Sequence, residues 1–225
     1  MSLSSRKTAE RILASMKKAY GAPQILVATS ESEFPHLDLD AYRSFRETME
    51  RKGYTFLSDV KIVGISDSPA RWLAPWMIRM MVSADGAISA GYYQARPRLS
   101  MRLTNFLAGL LTLRFILAPR LFLQSLLTKN YCDFESELAG TYVTTTNYDA
   151  GKLGLPSSVE AKYLPYETSL DELRVAHETR LAAAAQRTGA EPTRMPTLDD
   201  VLAMHARLQE CKNAHRAAVN WITLD

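Results

Sequence analysis

Apolar positions along this chain recur with two periods, and the switches between them mark out its elements. In AYRSFRETMERK (41–52), Tyr42, Phe45 and Met49 stand at i, i+3 and i+7, the one-face spacing of an amphipathic helix. Asp38 or Asp40 can cap its start, where acids also meet the positive end of the helix dipole. Gly53 occupies the place of a C′ glycine. Runs rich in β-branched and aromatic residues flank this helix and predict strands at about 24–29 and over YTFLSDVKIVGIS (54–66). WMIRMMVSADGAISAGYYQA (76–95) reads as a hairpin, with Asp85-Gly86 supplying the positive φ of its turn. YCDFESELAGTYVTTTNY (131–148) reads as a second, turning at Ala139-Gly140. VEAKYLPYE (159–167) predicts a further strand after the loop NYDAGKLGLPSS (147–158).

The chain then changes period again. TSLDELRVAHETRLAAAAQ (168–186) is a helix whose Ser169 and Glu172 have capping-box spacing and whose alanines favour helix intrinsically. GAEPTRMP (189–196) is a linker. Thr197 caps a last helix, LDDVLAMHARLQECKNAHRAAVNW (198–221), with an apolar stripe of Leu198, Val201, Leu202, Leu208 and Val219. At the other end, Ala9, Ile12, Leu13, Met16 and Tyr20 line one side of a basic N-terminal helix that has no continuous apolar run of the secretory kind.

These elements define an α+β protein: an antiparallel sheet of about six or seven strands, packed helices and a C-terminal helical pair. Each hairpin places a glycine turn before a strand ending in tyrosine, so two helix-plus-three-strand units are one reading of the order; chance likeness of hairpins is the other. The expected organisation is a single domain over 1–188 with an insert at 97–129, then a C-terminal helix over 197–225 beyond the 189–196 linker. A helix laid over a curved sheet also leaves room for an apolar cavity between the two.

The insert carries the least ordinary pattern. Over 98–118, at helical spacing, Leu103, Phe106, Leu107, Leu110, Leu111 and Leu117 form a broad apolar face, with Arg114 in its middle. Arg98, Arg102, Asn105, Gly109 and Thr112 share the opposite side, and Pro119 ends the helix ahead of a second short element. Charge sharpens the picture. No acid lies between Asp85 and Asp133, whereas Arg96, Arg98, Arg102, Arg114, Arg120 and Lys129 do. The net charge of the whole chain is +3, so this block carries +6 and the remainder −3.

A membrane span needs roughly 20 apolar residues. Leu103 to Ala118 is shorter and contains Arg114 and Asn105. Three readings remain: a core helix whose Arg114 meets a carboxylate or carbonyls, a protein or homodimer interface, and a helix lying in the interface of an anionic membrane. The third accounts for the charge pattern, because arginine stems can reach headgroups and Trp72 and Trp76 just upstream can anchor there. The candidate interaction surface is therefore Trp72, Trp76, Arg98, Arg102, Leu107, Leu110, Arg114 and Arg120. Nucleic acid is a poor fit, since basic residues here accompany leucines and not stacking or polar groups.

Local catalytic signatures are absent. His205 and His215 lie ten residues apart, which places them about 80° apart around a helix and roughly 15 Å along it, too far for a shared metal. HExxH, GxSxG and P-loop spacings do not occur. His36, Asp38 and Asp40 in FPHLDLD read as a helix entry before they read as an acid–base cluster. Cys132 and Cys211 lack CxxC spacing and suit a reducing compartment. No metal or cofactor is expected. The reading that follows is a non-enzymatic binding or interaction protein of bacterial-cytosol type, peripheral to the membrane or meeting a protein partner through 97–129. The alternative is an enzyme or small-ligand carrier with a cavity between sheet and helices.

Overall fold

A computed structural model describes residues 25–63, 76–96, 129–148 and 154–219, together with Ala14. Seven strands form one sheet in strictly sequential order: β1 (Ile25–Thr29), β2 (Tyr54–Val63), β3 (Ile78–Ser83), β4 (Ser89–Ala95), β5 (Lys129–Leu138), β6 (Thr141–Thr146) and β7 (Val159–Tyr163). Neighbours pair antiparallel except β6 and β7, which run parallel. The described helices are α1 (Leu39–Arg51), α2 (Leu170–Thr188) and α3 (Leu198–Ala218), with a 3-10 turn at Glu31–Glu33. This is the expected α+β class with its C-terminal pair of helices. The two hairpins do not extend into matching three-strand units, because β4 returns antiparallel to β3 whereas β7 runs parallel to β6.

The local chemistry explains the boundaries. Asp38 caps α1 by accepting from Ala41 N–H, and Asp40 pairs with Arg43, so the acids of FPHLDLD serve the helix entry. Ser169–Glu172 and Thr197–Asp200 form reciprocal capping boxes on α2 and α3. Ala139 and Gly140 both have positive φ (45° and 81°), the geometry a two-residue hairpin turn requires.

The sheet is covered on both faces. On the first, Tyr42, Phe45 and Met49 of α1 and Leu173, Leu181 and Ala184 of α2 pack on Tyr54, Met81, Tyr92, Phe134 and Val143. On the second, Val201, Met204 and Leu208 of α3 pack on Val60, Met80, Tyr142 and Val159, with Met195 of the linker beside them. The two C-terminal helices are thus consecutive in the chain but sit on opposite sides of the sheet. The linker is pinned as it crosses: Thr193 N–H donates to Glu137 O (2.7 Å) and Met195 N–H to Gly86 O (2.8 Å). An irregularity between Phe56 and Ser58 shifts the alternation of β2, so Phe56 belongs to the first face and Val60 to the second.

Candidate functional site

β5 reads KNYCDFESEL, and its alternation sends two different sets of side chains to the two faces. Cys132, Phe134 and Leu138 enter the first core. Asp133, Glu135 and Glu137 face α3, which carries His205, Arg207 and Lys212. His205 Nδ1 lies 2.8 Å from Glu135 Oε2, and Arg207 Nη2 lies 2.5 Å from Glu137 Oε2. His205 Nε2 is buried without a hydrogen-bond partner. Glu135 Oε2 has only the close charge contact to His205, which lacks the angle of a directed hydrogen bond. Beside this pair, no side chain among the described residues hydrogen-bonds to the Asp133 carboxylate.

Room for Asp133 comes from Gly91, its register partner on β4. A methyl group there would come within 2.3 Å of Asp133 Oδ1. Tyr93 and Tyr131, also register partners, flank the carboxylates with ring centroids 5.4 Å apart. Asp133, Tyr93 and His205 are half-buried, so solvent reaches the cluster.

The neighbourhood divides the two carboxyls. Burial raises the pKa of Asp133, and the adjacent Glu135 charge raises it further. Burial opposes ionisation of Glu135 too, but the facing His205 outweighs it and holds that carboxyl well below its usual range. His205 responds in kind: burial works against its imidazolium, and Glu135 more than compensates. The result is an ion pair next to a carboxyl that is displaced toward neutral pH. Such a group can give or take a proton near neutrality. Among the described residues, no group of three or more His, Cys, Asp or Glu has the arrangement of a metal site.

A second histidine looks more catalytic than it is. His177 Nε2 lies 3.0 Å from Ser136 Oγ, and its Nδ1 lies 3.1 Å from Thr145 Oγ1. Ser136 Oγ donates its proton to Ala87 O at 2.7 Å. His177 Nε2–H must therefore donate to the serine and not accept from it. Arg180 donates to Thr145 Oγ1 at 2.8 Å, which leaves the threonine proton for His177 Nδ1. The relay ends on a backbone carbonyl, Ser136 is not activated, and all three side chains are buried. Burial holds the His177 pKa down to about 3, with Arg180 acting in the same direction. Its role is structural.

Of the interaction surface expected from sequence, Trp76 is half-buried, and Trp72, Arg98, Arg102, Leu107, Leu110, Arg114 and Arg120 lie outside the described residues. Asp133, Glu135 and His205 were missed by motif reading. Their only local trace is the i, i+2, i+4 spacing of acids on β5; His205 is seventy residues further along and has no sequence link to them. No helix among the described residues is long and apolar enough to cross a membrane. No protein-family model, curated protein or solved structure matches this chain.

Proposed function

We propose that the protein is a non-enzymatic binding protein that uses its apolar, basic 97–129 segment at an anionic membrane surface. One observation supports this reading above others. Ala95 and Lys129 are register partners on neighbouring antiparallel strands. Closing such a hairpin takes roughly 2–5 residues, so this connection is far longer than the pairing of its two strands requires. Here the chain leaves the sheet, runs through 96–128, and returns to the point it left. That excursion holds the acid-free leucine-rich pattern, whereas both faces of the sheet already have described helices on them. Flotation of the full chain with vesicles tests the reading. Anionic vesicles should carry the protein, neutral ones much less, and added salt should weaken the association. Equal flotation on both, or none, defeats it, and concentration-dependent self-association without flotation would favour a homodimer seam.

A second reading, an enzyme, is favoured by Asp133. Its raised carboxyl stands accessible beside the Glu135–His205 pair, which is an arrangement suited to general acid–base chemistry.

A further inference from the structure

We propose that an open cavity of about 520 Å³ between the β3–β4 hairpin and α2 binds a small neutral molecule with an apolar body and one carbonyl-type oxygen. This site lies on the opposite face of the sheet from Asp133. Its size falls in the range of small-molecule sites. The space arises from sequence. The alanine run of α2 places Ala182 and Ala185 on the wall, and Ala87 of the hairpin faces them. Larger side chains at these three positions would fill it. Ile88, Leu181 and Pro192 complete an apolar lining.

The polar groups decide what such a ligand must be. Three charged residues border the cavity, and each is already engaged. Lys52 pairs with Asp171 at 3.0 Å, Glu178 accepts two hydrogen bonds from Arg174, and Asp85 accepts from Ser83 Oγ and Ala87 N–H. A charged ligand would have to displace one of these partners. The unspent group is Tyr54. Tyr54 is one of the residues that line the cavity, it is 5% exposed, and its Oη is buried with no hydrogen-bond partner. Burial raises its pKa, so it stays a neutral hydroxyl with a proton to donate. A buried donor without an acceptor costs free energy that a ligand oxygen would recover. A ketone, ester or amide oxygen supplies that acceptor without bringing a charge. On this proposal the ligand oxygen reaches Oη by displacing the side chains that now cover it.

Amide NMR titration of the full chain with acetophenone and with ethylbenzene tests this, because the two probes share shape and differ in the acceptor. Saturable shifts should centre on Gly53, Ile88 and Ala182. Acetophenone should bind roughly fivefold more tightly, the scale of one net hydrogen bond. Tyr54→Phe should erase that preference and leave ethylbenzene binding unchanged. This variant should fold, since it removes an unpaired hydroxyl and keeps the ring; a raised melting temperature checks that independently. Ala182→Phe, at an exposed wall position, should abolish binding of both probes. Absence of saturable shifts at these residues, or an acetophenone preference that survives Tyr54→Phe, overturns the proposal.

Discussion

Arg79 shows how a single charged residue is held inside this protein. It is 3% exposed, yet it makes two hydrogen bonds to Asp59 (2.8 and 2.7 Å) and one to Glu31 (3.0 Å), and it lies over the rings of Tyr42 and Phe56. Asp59 is its register partner on β2, so backbone pairing aligns the two groups before their charges meet. Removing one partner strands the other in the core. Arg79→Met should cost about 3–5 kcal/mol in urea unfolding, and adding Asp59→Leu should restore most of it. Restoration by the second change is the informative result, since simple loss of an attractive contact predicts none. Gly91 makes a complementary prediction. Gly91→Ala should cost about 1–3 kcal/mol because its methyl meets Asp133 Oδ1. Asp133→Ala in the same chain should relieve much of that cost, leaving the 3.3 Å approach to Ile78 Cγ2. Thermal melts of the two single variants and the double variant separate these terms.

At the scale of elements, the two C-terminal helices should respond to pH in opposite senses. α3 docks through groups whose folded pKa values are raised: Asp133, by burial and by Glu135, and His205, by Glu135 against burial. A raised group stabilises fully below its unfolded value and loses that contribution as pH climbs through the folded one. The loss begins above the ordinary carboxylate value for Asp133 and above about 6.5 for His205. Glu135, held well below its usual range by His205, contributes fully above its ordinary value of about 4.5 and loses that contribution progressively as pH falls below it. α2 carries the reverse case. His177 is buried neutral with its pKa near 3, so the unfolded chain takes up a proton before the folded one does. Its contribution is lost as pH falls from about 6.5 toward 3. Hydrogen exchange, corrected for intrinsic rates, should therefore show α3 less protected at pH 8.5 than at pH 6. α2 should be less protected at pH 4.5 than at pH 6. Asp133→Asn should reduce the alkaline loss in α3 without altering the acid loss in α2. Equal behaviour of the two helices would mean that they open together and not as separate units.

For the whole molecule, the 96–128 excursion separates a lipid-facing segment from a buried one by a single class of substitution. On the membrane reading, Leu107→Asp and Leu110→Asp abolish flotation on anionic vesicles while the melting temperature stays near wild type. On a core reading the same changes bury a charge and unfold the protein. Circular dichroism melts run beside the flotation assay distinguish the two. Retained flotation in folded variants would remove these leucines from the surface altogether.

Much of the fold was legible in the residues because its signals are local. The spacing of Tyr42, Phe45 and Met49 marked α1, Ser169 and Thr197 marked the starts of α2 and α3, and Ala139-Gly140 marked a turn. Such signals act through backbone geometry and nearest neighbours, which short stretches of chain contain in full. The excess of positive charge and leucine in 97–129 is likewise a property of the string. What only the tertiary structure decided is which faces meet. The irregularity in β2 puts Phe56 and Val60 on opposite faces, where unbroken alternation would have put them together. Consecutive helices α2 and α3 went to opposite sides of the sheet. Asp133 and Glu135 met His205 across seventy residues, and the alanines of α2 came to line one cavity with Tyr54. Each of these depends on long-range pairing and on the volume left after other side chains have packed, and no local pattern records either.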